Sequence, residues 1–113
     1  MKFRASHRFA PTSSRKARLV INLIRDKSAN EALEILQFTN NRSASLIDKV
    51  LRSAVANAGL DADPESLRIE SARVDDGPSL PLGWRPGPRG RAMPIHRRTS
   101  HIVIELSDQE GDA

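Results

Sequence analysis

The residue types that usually carry catalysis are few in this chain, and their spacing fits no catalytic or metal-binding arrangement. The sequence has no cysteine, which excludes a cysteine nucleophile, a thiolate metal site and a disulfide. The histidines His7, His96 and His101 are well separated, and none has metal-ligand spacing with another histidine or with a carboxylate. A structural or phosphate-facing role therefore fits each histidine better than metal ligation.

Two other polar pairs are equally weak candidates for catalysis. Ser13 and Ser14 have neither the nucleophile elbow nor the partner order of a catalytic triad. The carboxylates of Asp75 and Asp76 come directly before a Gly-Pro turn, so we expect them to end a strand. The sequence therefore predicts no enzyme activity, no catalytic residue, no metal and no cofactor.

The basic residues are the chemically informative ones, because they are concentrated in two segments. The 113 residues carry 18 Lys plus Arg and 14 Asp plus Glu, a formal net charge of +4. Residues 1–25 hold seven basic side chains and no acid, and residues 77–98 hold five arginines and no acid. Like charges held close together cost free energy unless a partner neutralises them, so both segments are candidates for contact with a polyanion. A solvated basic face is the alternative for either segment alone.

The second basic segment predicts a protruding arm. Half of the 18 residues from 77 to 94 are Gly or Pro, which suits a linker or a β-hairpin. Only one strand and a short tail follow, so a hairpin fits better. Extended from Asp76 to a tip near Gly87, the arm would reach roughly 35 Å, beyond the core of a compact chain with a radius of gyration of about 13 Å.

The side chains of this arm suit a nucleic acid. Arginine presents a planar fork of donors that matches phosphate, and the segment holds Arg85, Arg89, Arg91, Arg97 and Arg98. Trp84 could stack on an unpaired base. Its alternative role is a hydrophobic cover at the base of the hairpin.

Three helices are predicted to position the first basic segment. Helical periodicity from Ser13 to Arg25 places apolar residues on one face and basic residues on the other. Ser28 and Glu31 form a capping box for a second helix. A third helix begins near Thr39 or Asn40 and ends at Gly59. The apolar stripe of the first helix is Ala17, Val20, Ile21 and Ile24, widened by Leu19 and Leu23, and its basic ridge is Arg15, Arg18 and Arg25.

Three strands complete the predicted domain. Alternation indicates strands at Lys2–Phe9, at Leu67–Val74 with a bulge near Ser71, and at Ile102–Leu106. The predicted fold class is α+β: three helices packed on a small three-stranded antiparallel sheet, with a long protruding β-hairpin. Residues 1–113 form one domain, residues 77–98 the hairpin arm and residues 108–113 a flexible acidic tail.

The chain lacks the signals of membrane insertion or secretion. Its longest apolar run, Leu19-Val20-Ile21, is far shorter than the roughly 20 residues of a membrane helix. A secretory signal has an apolar stretch after its basic N-terminal residues, and no such stretch follows the basic N-terminus of this chain. We expect a soluble cytoplasmic protein without a membrane partner.

Several strings, in order and compatibly spaced over residues 3–107, resemble the bacterial large-subunit ribosomal protein number twenty-two family. They are Ser13-x-Arg15-Lys16-Ala17-Arg18-Leu19-Val20, Ser53-Ala54-Val55-Ala56-Asn57-Ala58, Val74-Asp75-Asp76-Gly77-Pro78, Gly90-Arg91-Ala92 and Arg98-Thr99-Ser100-His101-Ile102. The resemblance implies a globular domain on the outer surface of the large subunit. It also implies a hairpin that reaches the wall of the nascent-peptide exit tunnel, beside ribosomal protein L-four.

The resemblance also implies roles for individual residues. The residues implied to bind large-subunit ribosomal RNA are Lys2, Arg4, Arg15, Lys16, Arg18, Arg25, Trp84, Arg85, Arg89, Arg91, Arg97, Arg98, Thr99, Ser100 and His101. The implied tunnel tip is Pro86, Gly87, Pro88, Arg89, Gly90 and Arg91. Compared with the family pattern, Pro81-Leu82 replaces a basic pair, and the outgoing strand up to Arg85 is one residue longer.

The resemblance implies a structural constituent of the large ribosomal subunit that binds large-subunit ribosomal RNA and supports early assembly of the subunit. Its expected partners are large-subunit ribosomal RNA, neighbouring ribosomal proteins including L-four, and the nascent polypeptide, with no homo-oligomer. The alternative is a free-standing nucleic-acid-binding regulator, which would need a dimer or a recognition helix placed for a groove.

Overall fold

The computed structural model of the protein describes residues 2–59 and 66–108, which form three α-helices, one short 3-10 helix (Pro88–Gly90) and five strands. The α-helices are α1 (Ser14–Ile24), α2 (Ala29–Phe38) and α3 (Arg42–Ala58), and the strands are β1 (Lys2–Ala10), β2 (Leu67–Asp76), β3 (Leu80–Pro86), β4 (Ala92–Arg97) and β5 (Ser100–Asp108). The predicted α+β class is confirmed. Asp108, the first residue of the predicted tail, belongs to β5 and pairs with Leu67. The rest of that tail lies outside the described residues.

Short polar side chains start the helices, as the sequence predicts for the first two. Ser13 Oγ accepts from the Lys16 N–H at 3.4 Å, and Ser28 Oγ accepts from the Glu31 N–H at 3.3 Å. The third helix begins later than predicted, at Arg42, with Asn41 as its N-cap. Thr39 cannot start it, because its N–H and its hydroxyl donate to the carbonyls of the α2 residues Leu36 and Ile35.

Strand β5 lies at the centre of the three-stranded sheet, in the order β1-β5-β2, with both pairings antiparallel. The register of β2 shifts between Ile69 and Ser71, which confirms the predicted bulge. One face of the sheet, including Ala5 and Ile104, packs against the helices and is buried. The opposite face carries basic and acidic side chains that form ion pairs between strands.

Each helix buries one stripe in the core between the helices and the sheet. The stripe of α1 is the predicted set from Ala17 to Ile24, but Leu19 and Leu23 do not widen it. Leu19 is 69% exposed, because the i, i+3, i+4, i+7 positions already fill the contact with the core. In α3 the buried stripe includes Ile47, Leu51 and Ala54.

Strands β3 and β4 form a separate two-stranded antiparallel sheet that extends from the domain as the arm. The chain measures 66 × 25 × 22 Å, and its radius of gyration of 17.3 Å exceeds the value of about 13 Å for a compact chain of this length. The pairing shifts between Pro81 and Gly83, so β3 has one residue more than β4 at this point. That bulge falls within the stretch noted above as one residue longer than the family pattern.

Candidate nucleic-acid interface

The basic residues of α1 divide into two groups. Arg15 and Lys16 are exposed in the first turn, where no acidic residue accompanies them. Arg18 is exposed too, but its Nε and Nη2 atoms donate to the Val74 carbonyl at 3.1 and 3.0 Å. Arg18 therefore ties α1 to β2. Arg25 is exposed as well, but it is the C-cap of α1 and has extended backbone angles, so the predicted ridge ends before it.

A cationic cleft lies where the N-terminal ends of α1 and α3 meet. The hydroxyls of Thr12 and Ser43 are 3.0 Å apart in a buried hydrogen bond that joins these two ends. Basic residues from α1, α3 and the loop between β4 and β5 line the cleft, and none of its described lining residues is acidic. The lining consists of Lys16, Arg42, Arg98, Pro11, Thr12, Ser13, Asn41 and Ser43. Both helix ends add the partial positive charge of their free N–H groups. Such a cleft suits a phosphate group.

Arg42 is a residue that the sequence analysis missed. It lies in the middle segment, where acidic residues outnumber basic ones, so charge counting does not mark it. A sequence signal did exist, since Asn41 is a good N-cap and a basic residue directly after it lies at a helix N-terminus. Its approach to Lys16 and Arg98 arises only from the tertiary fold.

The residues that return the arm to the sheet are buried. Thr99 is 6% exposed and Ser100 is fully buried. The Thr99 hydroxyl donates to the Pro78 carbonyl at 2.6 Å, and the Gly77 N–H donates to the Thr99 carbonyl at 3.0 Å. These contacts fasten the base of the arm. A direct contact of either side chain with RNA would require that base to open, so we assign both residues a positioning role.

Lys2 and Arg4, which the resemblance implies as RNA contacts, lie on the outer face of the sheet beside acidic side chains. Lys2 Nζ is 3.1 Å from Glu70, and Arg4 Nε is 4.0 Å from Glu105. Exposed ion pairs of this kind contribute only about 0–1 kcal/mol. Both cations can therefore exchange a carboxylate for a phosphate at small cost.

His101 lies on the same outer face, where its ring contacts Phe9. The His101 Nδ1 atom accepts a hydrogen bond from the Phe9 N–H at 3.0 Å, so in the neutral ring the proton resides on Nε2. The two rings meet edge to face with their centroids 4.9 Å apart. The Arg8 guanidinium carbon lies 5.5 Å from the centroid of the Phe9 ring.

The predicted tunnel tip corresponds to the turn of the arm. Pro86, Pro88, Arg89, Gly90 and Arg91 are exposed, and Gly87 is half-buried. The Gly87 N–H donates to the Arg91 carbonyl and closes the turn. Arg89 and Gly90 both have left-handed backbone angles, with φ of 60° and 73°. Arg85 and Arg98 are exposed along the arm, whereas the side chains of Trp84 and Arg97 lie outside the described part of the structure.

Two structural observations concern metal binding and membrane insertion. Within residues 2–59 and 66–108, no group of three or more His, Cys, Asp or Glu side chains is placed to hold a metal ion. No helix of that part of the chain is long and apolar enough to cross a membrane.

Comparison with known proteins agrees with this arrangement. Residues 5–107 match the sequence model of the family described as Ribosomal protein L22p/L17e. The chain is 50% identical, over 110 residues, to the large ribosomal subunit protein uL22 of Rubrobacter xylanophilus, with 96% of this chain and 86% of that protein covered. The match spans the globular domain and the whole arm. The chain therefore belongs to the Ribosomal protein L22p/L17e family and is a structural protein of the large ribosomal subunit.

Proposed function

We propose that this protein binds large-subunit ribosomal RNA through its cationic cleft, its first helix and its arm, and that this binding supports early assembly of the subunit. The observation that carries the proposal is the arm, a two-stranded ribbon that extends from the domain with exposed arginines at positions 85, 89 and 91. An isolated two-stranded hairpin is only marginally stable in water. A polyanionic partner would both order the ribbon and neutralise its charge.

The mechanism is electrostatic. Each Lys or Arg that contacts a phosphate releases condensed counterions, and the entropy of that release drives binding. The cleft at Lys16, Arg42 and Arg98 lies in the globular domain, whereas the arginines of the tip are far along the 66 Å axis of the molecule. One chain would therefore neutralise phosphates of RNA segments that are distant from each other, and so hold them together.

The arm would place its tip, Pro86 to Arg91, at the wall of the nascent-peptide exit tunnel, close to ribosomal protein L-four. Exposed arginines on a turn closed by the Gly87–Arg91 backbone hydrogen bond suit contact with RNA at a narrow passage. A nascent polypeptide would then pass this turn. These roles place the protein on ribosomes of the cytoplasm.

Cosedimentation of the full-length chain with large subunits is the test. We expect a tagged copy expressed in Rubrobacter xylanophilus to sediment with the 50S fraction and to remain there after a high-salt wash. A copy with Lys16, Arg42 and Arg98 all replaced by Ala should be recovered in smaller amount. Recovery of the unsubstituted protein only in the free fraction would overturn the proposal and favour a regulator that acts outside the ribosome.

A further inference from the structure

Phe9 is an exposed aromatic residue in an unusual backbone conformation. Its φ is 58°, in the left-handed region, which a bulky L-residue rarely adopts. The register between β1 and β5 shifts between His7 and Ala10, and the shift includes Phe9. Continued alternation from Phe3 and Ala5 would point Phe9 toward the core, but the bulge leaves it 51% exposed. Backbone strain of this kind persists only where the surrounding structure enforces it.

Two residues, His101 and Arg8, hold Phe9 in its outward position. The Phe9 N–H donates to His101 Nδ1, and the two rings meet at 88° between their planes. The Arg8 guanidinium is positioned over the Phe9 ring. The ring is therefore fixed before any partner arrives, which lowers the entropy that binding would otherwise cost.

The surroundings of this ring favour a nucleotide over an apolar protein surface. The Phe9 ring is bordered by the polar side chains of Arg8 and His101. Asp75 lies opposite His101 in the β2-β5 pairing. Its carboxylate forms an ion pair with the Arg73 guanidinium at 3.4 Å. His101 also follows directly on the segment that returns the arm, which joins this position to the proposed RNA surface.

We infer that Phe9 stacks on an unpaired base of the RNA, and that Arg8 contacts a phosphate of the same nucleotide. Stacking uses the π-face that every base offers, and the adjacent cation supplies the charge contact. This inference rests on the proposed function, because it assigns one nucleotide contact within the proposed RNA surface.

The test measures affinity of the full-length protein for in vitro transcribed large-subunit RNA of Rubrobacter xylanophilus at several salt concentrations. Loss of one base stack should weaken binding by about 5- to 100-fold in Phe9→Leu. The slope of log affinity against log salt should stay as in the unsubstituted protein, because a stack releases no counterion. Phe9→Tyr should retain the affinity, since it keeps the ring.

Two further variants separate stacking from folding. Phe9→Asn removes the ring but suits the left-handed backbone, so it should fold and should bind as weakly as Phe9→Leu. Phe38→Leu is the matched control, because Phe38 is also an exposed phenylalanine but ends a regular helix, and its affinity should be unchanged. Thermal unfolding followed by circular dichroism shows that each variant is folded.

The outcomes distinguish this inference from the proposed function. If the unsubstituted protein binds the RNA and Phe9→Leu and Phe9→Asn bind equally well, the stacking assignment is wrong and the proposed function stands. An equal loss of RNA affinity in Phe38→Leu would also overturn the stacking assignment, since removing any exposed ring would then have the same effect. If the unsubstituted protein does not bind the RNA, the proposed function itself fails.

Discussion

At the scale of single residues, two neighbouring arginines of one helix have different tasks. Arg18 donates two hydrogen bonds to the Val74 carbonyl, whereas Arg15 extends from the first turn of α1. Replacing Arg18 by Ala should lower the free energy of unfolding by about 1–2 kcal/mol, because charged hydrogen bonds to the backbone of β2 are lost. Arg15→Ala should change it by less than about 0.5 kcal/mol.

Urea unfolding and salt-dependent RNA binding, measured on both variants, check this division. Arg15→Ala should reduce the slope of log affinity against log salt by about 0.7–0.9 per lost phosphate contact. Arg18→Ala should change that slope less, since its guanidinium already has a partner within the protein. Equal effects of the two variants on stability would contradict the assignment.

Ser100 provides a second test at this scale. Its hydroxyl is fully buried and has no hydrogen-bond partner among the described residues. A buried polar group without a partner costs about 1–3 kcal/mol, so Ser100→Ala should leave the free energy of unfolding unchanged or raise it by about 1 kcal/mol. Thermal unfolding measures the change. A loss of stability would show that the hydroxyl has a partner in solution, and Thr99→Ala, which removes the Pro78 contact, is the destabilising comparison.

At the scale of elements, local signals predicted most of the fold. The caps at Ser13 and Ser28, the stop at Gly59 and the bulge near Ser71 all depend on short-range backbone chemistry that a sequence displays directly. The start of α3 was predicted too early, because Thr39 is a plausible N-cap by type but caps the end of α2 instead. The prediction for Leu19 is wrong because periodicity gives the centre of the apolar stripe but not how wide a stripe the core covers.

The candidate site was less predictable than the fold. Arg15 and Lys16 are visible in the sequence, since they lie in a segment without acids. The meeting of Lys16, Arg42 and Arg98 depends on the packing of α1, α3 and the loop between β4 and β5, which are distant along the chain. The outward position of Phe9 depends on a bulge that strand alternation does not reveal.

The arm is an element whose contribution to stability can be measured separately. Deleting residues 83–93 joins Leu82 to Pro94 and removes most of the β3-β4 ladder. We expect the midpoint of thermal unfolding to change by no more than a few degrees, because the buried core lies in the other elements. RNA binding should weaken at the same time.

A point variant at the base of the arm, compared with the deletion, shows whether stability depends on the base or on the outer part of the arm. Gly77→Ala introduces a Cβ atom 2.6 Å from Thr99 Oγ1 and therefore disturbs the base of the arm instead of its tip. It should lower the unfolding midpoint more than the deletion does. A large destabilisation by the deletion would show that the arm packs on its own domain.

At the scale of the whole molecule, the distribution of charge should determine how binding responds to salt. Replacing Lys16, Arg42 and Arg98 together by Ala removes the basic side chains that line the cleft in the described part of the chain. The slope of log affinity against log salt should fall by about two to three units, because each phosphate contact contributes about 0.7–0.9. Filter binding at 50–300 mM salt measures this slope. An unchanged slope would exclude the cleft from the interface, and Lys49→Ala, which removes an exposed basic residue of α3 outside the cleft, is the control.

The two-stranded arm affects how readily the free protein would aggregate before it joins a ribosomal subunit. Each of its strands is an edge strand, with one row of backbone groups open to pairing with another chain. Pro81, Pro86 and Pro94 lie within those strands and offer no N–H for such pairing. The arginines of the arm add mutual repulsion between copies. The same composition that leaves the ribbon weak by itself would therefore protect the free protein from aggregation before the proposed contact with RNA forms.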